Sequence, residues 1–258
     1  MGINKEGMSK NFDKSTYDSS FYSAQTKNTE SSAEEVLDLA LSKISPRSIV
    51  DVGCGSGHWL RYARDHFDIT DILGLDFFVP DTELVIPQEN FLRTDLSAPI
   101  ELSRRFDLAM SIEVAEHLPP ASADTFVKSL TGLSDVVLFS AAIPKQGGNN
   151  HLNEQWPDYW ERLFKEDGYV ALDCLRRDLW ANPRVKVWHA QNIFFYVKLD
   201  KIDEFSILKN SQRGVWNIVH PEMFLSRNAA MEQIINHAWF YLLVTRLITK
   251  IKKTIRRR

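Results

Sequence analysis

The chain has 258 residues, of which 44% are hydrophobic and 25% are charged, and this allows one large α/β domain or a domain with an appendage. The formal net charge of −3 gives no support for nucleic-acid binding by overall positive charge. Two cysteines, Cys54 and Cys174, lie far apart in the sequence, which argues against a disulfide framework and for a reduced, cytoplasmic setting.

The N-terminal region is predicted to be a polar arm. Residues 1–10 lack the apolar core of a signal peptide, and no stretch of the chain reaches the length of a membrane span. Residues 1–30 are polar but include aromatic side chains, so we expect either a lid over a pocket or aromatic groups packed on the core surface. The first helix is expected to begin at Ser31 or Ser32, whose hydroxyl would cap it.

A glycine-spaced turn follows the first strand. The apolar run Ile49–Val52 predicts a buried strand, and Gly53, Gly55 and Gly57 separate it from a helical pattern that begins at Trp59. A strand, a glycine turn and a helix start bring backbone N–H groups and an open helix end together at a sheet edge. This arrangement suits a nucleotide-like ligand.

Short apolar strands then alternate with helices. Strands are predicted over residues 72–76, 91–96, 106–112 and 135–140, with helices over residues 59–66 and 121–130. This alternation indicates a parallel sheet with helices on both faces. Ligands of such sheets bind beyond the carboxyl ends of the strands, where several acidic residues of this chain are expected.

One of these acids indicates which ligand the turn binds. Asp76 lies 19 positions after Gly57, close to the spacing at which an acid meets ribose hydroxyls. A carboxylate there would repel the 2′-phosphate of NADP. Because position 58 is His58, the turn also lacks the third glycine of a dinucleotide motif, which disfavours a NAD-dependent oxidoreductase. Asp51, within the strand, is compatible with a ligand that carries a cationic centre.

Four segments in this order resemble the motifs of class I S-adenosylmethionine-dependent methyltransferases: Val50-Asp-Val-Gly-Cys-Gly-Ser-Gly57, Leu75-Asp76, Thr94-Asp95-Leu96 and Phe106–Leu118. The resemblance implies a methyltransferase domain over residues 31–200. It also implies an α/β fold with a doubly wound, seven-stranded, mostly parallel, Rossmann-like sheet. The last strand would be antiparallel and inserted between the fifth and sixth, with Tyr169–Leu175 and Asn192–Lys198 as the final two strands.

The same resemblance implies that S-adenosylmethionine is the cofactor. The glycines would pass close to its methionine part, Asp76 would hold the ribose, and Asp95 with the Leu96 backbone would hold the adenine. The implied cofactor-binding residues are Asp51, Gly53, Gly55, Gly57, Asp76, Asp95 and Leu96.

A narrower resemblance concerns the acceptor. Asn150–Trp160, Trp188–Asn192 and Val219–Pro221 resemble a bacterial branch of methyltransferases that modify polysaccharides and glycolipids. It suggests a hydroxyl of a saccharide or lipid-linked glycan as the methyl acceptor. The alternatives are an RNA or quinone-type O-methyltransferase, and a binding protein that keeps the fold without catalysis.

A hydroxyl acceptor needs a base or a metal ion to make it nucleophilic. Glu113, Glu116 and His117 are spaced i, i+3 and i+4, which would place them on one face of a helical turn. Together with His151 they offer two carboxylates and two imidazoles for a divalent cation. The motif is similar to that of small-RNA and quinone-pathway O-methyltransferases, where such residues bind Mg²⁺. In the alternative interpretation, Glu113 caps local backbone and His117 is a polar helix residue.

Without a metal, His117 or His151 would be the general base, and His189 is a weaker candidate. Tryptophans are concentrated in the same region, where they either stack on a sugar ring or fill the core. They are Trp156, Trp160, Trp180 and Trp188.

Residues 201–228 are mixed in character, and residues 201–258 form an extension to the domain. Residues 229–258 predict a helix with an apolar centre and an end, residues 246–258, that is basic and contains no acid. Such a helix suits peripheral association with anionic lipid at the inner face of the membrane. The rival interpretation is a solvated basic tail or an RNA contact.

Overall fold

A computed structural model describes residues 19–205 and 216–255. The helices are α1 (Ser19–Ile44), α2 (His58–Phe67), α3 (Ala123–Leu133), α4 (Pro157–Glu166), α5 (Arg176–Leu179), α6 (Val187–Asn192) and α7 (Pro221–Ile255). The strands are β1 (Ser48–Val52), β2 (Asp71–Asp76), β3 (Phe91–Arg93), β4 (Leu108–Ile112), β5 (Val136–Ser140), β6 (Tyr169–Leu172) and β7 (Phe194–Lys198). Each predicted strand is present, although several are shorter than predicted.

The strands form one seven-stranded sheet in the order β3-β2-β1-β4-β5-β7-β6. The first five strands of this order are parallel, and β7 runs antiparallel to both β5 and β6, between which it is inserted. The doubly wound methyltransferase sheet is therefore confirmed, including the position and direction of its last strand.

The central strand β1 is apolar because both of its faces are covered. Side chains alternate between the faces of a strand, and the neighbours Ile49 and Val50 belong to different hydrophobic clusters. The cluster with Ile49 includes residues of α1 and α2, and the cluster with Val50 includes residues of α3 and α4. Helices thus cover both sides of the sheet, as the alternation of strands and helices predicts.

Helix α1 begins at Ser19, so the prediction of a cap at Ser31 or Ser32 is wrong. Residues 19–30, which the sequence predicts to be part of the polar arm, contain neither proline nor glycine and continue the helix. The hydroxyl of Ser32 is buried and accepts a 3.0 Å hydrogen bond from the backbone N–H of Lys186. Ser32 therefore lies within the helix, and its hydroxyl is satisfied by a residue from a distant part of the chain. Residues 1–18 lie outside the described part of the chain.

The chain divides into two compact units, Met1–Ile218 and Val219–Arg258. The first unit extends beyond residue 200, because Ile202 is buried in the core and the Arg176 guanidinium donates a 3.0 Å hydrogen bond to the carbonyl of Trp216. The second unit contains α7, which starts earlier than predicted. Arg256–Arg258, at the basic end, lie outside the described residues.

Among the described residues, no helix combines the length and the apolar character that crossing a membrane requires.

Candidate active site

The carboxyl ends of β1, β2, β4 and β5 meet at one edge of the sheet, because these strands run parallel and β1 pairs with both β2 and β4. The segments that follow them are the glycine turn, the loop after Asp76, the turn Glu113–Leu118 and the loop of residues 141–155. The backbone N–H of Leu152 donates a 2.8 Å hydrogen bond to the carbonyl of Glu116, which joins the last two segments. A ligand-binding site at this edge is what parallel α/β sheets predict.

The three glycines of the turn are required for different reasons. All have a positive φ, which favours glycine: 89° at Gly53, 54° at Gly55 and 90° at Gly57. A Cβ on Gly53 would lie 2.4 Å from a Val114 methyl group, and a Cβ on Gly57 would lie 2.9 Å from Ile86. A Cβ on Gly55 would meet no described atom within 4 Å. Gly53 and Gly57 therefore allow close packing within the protein, whereas Gly55 borders open space.

Asp76 lies directly against this turn. Its Oδ2 accepts a 3.0 Å hydrogen bond from the Gly55 N–H, and its Oδ1 accepts a 3.0 Å bond from the Phe78 N–H. Burial raises the pKa of Asp76, although these backbone hydrogen bonds oppose the change. The carboxyl group thus reaches the part of the turn that borders open space.

Asp51 lies within β1 and is 2% exposed. Burial, and then the nearby Asp76, raise the pKa of Asp51 to about 8. The same effects raise the pKa of the Cys54 thiol. At neutral pH the Asp51 carboxyl is therefore mainly protonated in the ligand-free protein, and a cation bound next to it would favour ionisation.

The predicted adenine-binding pair lies just beyond β3. The N–H of Thr94 donates a 3.0 Å hydrogen bond to the carbonyl of Asp76, so this segment runs beside the β2 end. Asp95 is exposed, and its Oδ1 accepts hydrogen bonds from the N–H and the hydroxyl of Ser97 at 2.9 and 2.7 Å. Leu96 is buried in the core. One carboxyl oxygen of Asp95 is therefore engaged in its own turn.

Glu113 does not share a helical face with Glu116 and His117, so that part of the prediction is wrong. Its φ is 55°, and a short 3₁₀ helix begins only after it, at Ala115. Its Oε2 accepts a 2.7 Å hydrogen bond from the Gln146 amide and its Oε1 a 3.1 Å bond from the Asn192 amide. With both oxygens held by amides, Glu113 organises a buried polar network.

Three residues of the predicted cation-binding set do come together. Glu116, His117 and His151 each offer a ligand-type atom, and these atoms lie within 4.8 Å of one another. The imidazole rings of His117 and His151 have centroids 4.8 Å apart and are perpendicular. Glu116 is 1% exposed, and neither of its carboxyl oxygens accepts a hydrogen bond of normal geometry from the described residues. Val114, three positions before His117, packs against Gly53, so the segment that leads into this cluster contacts the glycine turn.

The surroundings of the cluster determine its charge. Burial, and then the charge of Glu113, raise the pKa of Glu116 well above its usual range. Burial, and then the proximity of His151, lower the pKa of His117 to about 4, against backbone hydrogen bonds with Asn149 and Asn150 that favour protonation. At neutral pH the His117 imidazole is therefore neutral, and the buried Glu116 carboxyl group holds its proton more strongly than an exposed glutamic acid does.

The model of a methyltransferase-domain family matches residues 24–194, which is more than half of the chain. The chain belongs to this methyltransferase family. It is an S-adenosylmethionine-dependent methyltransferase, as the ordered motifs predict, and the oxidoreductase alternative is wrong. No curated protein sequence matches it significantly.

Two solved structures of bacterial methyltransferases share the fold, and a human enzyme is a weaker match. The sugar N-methyltransferase KedS8 from Streptoalloteichus sp. ATCC 53650 is 16% identical, with a TM-score of 0.54 over 77% of this chain and 98% of that one. The methyltransferase domain of bacterial CtHen1-C is 16% identical, with a TM-score of 0.50 over 66% of this chain and 98% of that one. Human N-acetylserotonin methyltransferase, in complex with SAM, is 15% identical, with a TM-score of 0.49; the match covers 69% of this chain and spans 55% of the human chain.

The aromatic residues of this methyltransferase serve different purposes. Trp160 is 2% exposed and packs against Phe139, so it fills the core and is not part of a sugar platform. Trp156 is 37% exposed, and Trp188 is partly buried. His189 is buried, and burial lowers its pKa to about 3, which makes it a poor base at neutral pH.

Several residues that shape the methyltransferase site carry no signal in the sequence. Val114 and Ile86 look like ordinary apolar residues in the sequence. In the structure their side chains fill the space that a Cβ at Gly53 and Gly57 would need. Gln146 and Asn192 are distant in sequence from Glu113, and Glu154 lies in a loop without periodicity. Only spatial contact reveals these roles. Of these residues, only Glu154 had a signal in the sequence, since it lies three positions after the candidate base His151.

Proposed function

We propose that this methyltransferase transfers the methyl group of S-adenosylmethionine to a hydroxyl group of a saccharide or lipid-linked glycan. The observation that supports the proposal is the pair of imidazoles, His117 and His151, on loops at the edge of the sheet that also carries the glycine turn. A hydroxyl oxygen is a weak nucleophile until its proton is removed, and a positioned base provides about 10²–10⁴-fold of rate. An imidazole at this edge of the sheet suits that role.

The proposed cofactor contacts follow from the geometry of the turn. Gly55 borders the open space into which the methionine part would fit, and Asp76 would accept hydrogen bonds from the ribose hydroxyls. The backbone of Leu96 and the Asp95 carboxyl, beside the β2 end, would hold the adenine. Asp51 would face the cationic part of the cofactor. Gly53 and Gly57 would support the turn from behind through their packing contacts.

The state of Asp51 predicts that cofactor binding releases a proton. Since its pKa in the ligand-free protein is raised to about 8, the carboxyl is neutral at pH 7, and a bound sulfonium or ammonium group would ionise it. Affinity should therefore increase as the pH rises from about 6 to about 8. Calorimetry at pH 7 in buffers of different ionisation enthalpy should give close to one proton released per cofactor, and markedly less for Asp51→Asn.

The pH dependence of stability has the opposite sign. The native carboxyl of Asp51 holds its proton up to about pH 8, whereas an unfolded aspartic acid loses it near 3.9. The free energy of unfolding should thus fall between these values as the pH rises, and Asp51→Asn should remove this part of the slope. Identical binding heats in all buffers, with unchanged slopes for Asp51→Asn, would contradict the assignment.

His151 is the preferred base. Its partner His117, with a pKa of about 4, is a weak base at neutral pH. In the proposed step the acceptor oxygen bonds to the methyl carbon while the carbon–sulfur bond breaks, and its electron pair stays on sulfur to give S-adenosylhomocysteine. The hydroxyl proton passes to the unprotonated nitrogen of His151. In-line positioning by the protein supplies the remaining rate.

A divalent cation is the second candidate for activating the hydroxyl. Two imidazoles and a carboxylate are a suitable donor set, and an ion would give the buried oxygens of Glu116 a partner. Glu116, His117 and His151 would hold it, and Glu113, engaged by two amides, would not. Such an ion would lower the pKa of a bound hydroxyl.

The choice of a saccharide is supported by Trp156. This exposed tryptophan follows His151 by five positions, at the end of the same loop. Aromatic faces suit the apolar face of a sugar ring. Because an aromatic face also stacks on nucleobases, RNA is included in the acceptor screen.

The test is a screen with radiolabelled cofactor over cell-envelope saccharides, glycolipids, RNA and lipid-extracted quinones, each with and without EDTA. Label in a saccharide that survives EDTA supports the base mechanism, and label lost with EDTA supports the cation. Label confined to RNA or quinone overturns the acceptor class. Cofactor binding without transfer to any fraction would instead indicate a non-catalytic binding protein.

We further infer that α7 associates with the inner face of a membrane. Four apolar side chains of α7 are each at least 50% exposed: Phe224, Met231, Ile235 and Trp239. At 100° per residue they lie within an arc of about 80° around the helix axis, so they form one exposed apolar face. The basic sequence of residues 246–258 follows this face and suits anionic lipid.

Vesicle flotation of the full chain tests this association. We expect recovery with vesicles that contain anionic lipid and little with neutral vesicles. Ile235→Ser with Trp239→Ser should reduce recovery at least several-fold, because apolar area is lost. Ala229→Ser with Gln233→Ser, on the opposite face, is the matched control. Equal recovery of both double variants would contradict the model.

A further inference from the structure

Glu154 is the acidic partner of His151. The Nδ1 of His151 lies 2.9 Å from Oε1 of Glu154, and both side chains are largely shielded from solvent. The same Oε1 accepts a 2.8 Å hydrogen bond from the N–H of Gly147, and Oε2 accepts a 2.7 Å bond from the N–H of Lys145. Three nitrogen atoms therefore lie within hydrogen-bond distance of the carboxylate and fix it in one position.

The loop that Glu154 closes has an unusual backbone. Lys145 has a φ of 68° and Gly147 a φ of 71°, and a positive φ is uncommon for a residue with a side chain. The two backbone hydrogen bonds to Glu154 hold these residues in place. The carboxylate thus ties the loop conformation to the position of His151.

The charge of Glu154 decides the direction of its bond to the imidazole. The backbone N–H groups of Gly147 and Lys145 donate to its two carboxyl oxygens, and such donors favour the ionised carboxylate over the neutral acid. An ionised carboxylate only accepts hydrogen bonds, so Nδ1 of His151 must carry the proton in this pair. In a neutral imidazole, Nε2 is then unprotonated.

Three other titratable groups lie near His151, namely Glu113, Glu116 and His117. Burial raises the pKa of both carboxyl groups, and burial with the proximity of His151 lowers the pKa of His117 to about 4. A side chain at position 148 would displace the ring, because a Cβ on Gly148 would lie 2.2 Å from Nε2 of His151. Glu154 on one side and the bare Gly148 on the other define the ring position.

We propose that Glu154 is a positioning residue that holds His151 as the Nδ1–H tautomer and thereby presents an unprotonated Nε2 to the acceptor hydroxyl. The proposal rests on the role of His151 in the proposed function. It assigns the carboxylate no contact with substrate or cofactor.

The test measures the tautomer directly, without an acceptor. Two-bond ¹H–¹⁵N correlation spectra of the full chain, recorded at about pH 9 where ordinary imidazoles are neutral, report which nitrogen is protonated. His151→Gln identifies the signals. We expect the Nδ1–H form in the wild type, and at least a five-fold higher share of the Nε2–H form in Glu154→Ala. Glu166→Ala, which removes an exposed carboxylate paired with Arg162, should leave the spectrum unchanged.

Glu154→Gln separates positioning from loop support. Its amide oxygen can accept from His151 and Gly147, while its NH₂ group faces the Lys145 N–H, so the tautomer should persist although one anchor of the loop is lost. An Nε2–H form in the wild type, or an unchanged tautomer in Glu154→Ala, overturns the proposal. If Glu154→Ala does not fold, the wild-type spectrum alone still tests the proposal, because it shows which nitrogen of His151 carries the proton.

Activity gives the second readout once the screen has supplied an acceptor. Glu154→Ala should lower kcat about 10- to 100-fold with KM nearly unchanged, and Glu154→Gln should recover most of the loss. Equal losses in Ala and Gln variants would indicate loop support alone and contradict the positioning role. If no hydroxyl acceptor is methylated, the proposed function fails while the tautomer measurement still stands or falls by itself.

Discussion

Replacing His151 by glutamine should lower kcat for methyl transfer to the acceptor hydroxyl by about 10²–10⁴-fold, because the positioned base is lost. Glutamine keeps a polar side chain of similar size, but its amide cannot take up the hydroxyl proton. Binding of S-adenosylmethionine should be unchanged within about three-fold, since the proposed cofactor contacts lie on other segments. Steady-state kinetics and calorimetry measure the two effects separately.

The control for this variant is His66→Gln. His66 is an exposed histidine of α2 that stacks on Tyr62, so its replacement removes an imidazole without touching the candidate site. Its kcat should equal that of the wild type. A kcat of His151→Gln within a few-fold of the wild type, with EDTA having no effect, would exclude His151 as base and as ligand.

Replacing Asp76 by alanine should weaken S-adenosylmethionine binding by about 10²–10⁴-fold. Hydrogen bonds to a charged group contribute about 1.5–3 kcal/mol each, and the carboxylate is proposed to accept two from the ribose. Its own hydrogen bonds to the N–H groups of Gly55 and Phe78 also hold the turn in shape, so the loss should lie toward the upper end. Calorimetry or equilibrium dialysis with the cofactor measures it.

Asp65→Ala is the matched control for Asp76→Ala. Asp65 is an exposed acid of α2 that pairs with Arg64, and its loss should leave cofactor affinity unchanged. Thermal unfolding of both variants separates a loss of affinity from a loss of structure. A cofactor Kd for folded Asp76→Ala within about three-fold of the wild type would remove Asp76 from the binding site.

The strands, and the glycine turn with Asp76 at their carboxyl edge, could be predicted because their information is local. A fully covered strand must be apolar, so β1 shows itself as Ile49–Val52, and the glycine run after it marks a turn that other residues cannot adopt. The 19 positions from Gly57 to Asp76 hold one helix, α2, and one strand, β2, with a short link between them. These features depend on neighbours in the chain, and the structure agrees with each of them.

The start of α1 shows where local information misleads. Ser32 looks like a helix cap, since serine before early acids is typical of one. Its hydroxyl instead meets the N–H of Lys186, a residue far along the chain. The hydroxyl therefore does not cap the helix, which begins at Ser19. No sequence pattern near Ser32 indicates this earlier start.

The sequence by itself determined the fold class, the methyltransferase family and the identity of the edge at which the cofactor is expected. Only the tertiary structure decided how the polar residues at that edge divide: Glu113 turns to the amides of Gln146 and Asn192, and His151 meets His117 and Glu154. The physical reason is that periodicity and turn chemistry act between neighbours, whereas hydrogen bonds and burial in a site join loops that follow different strands. Such contacts exist only after the sheet has brought the strand ends together.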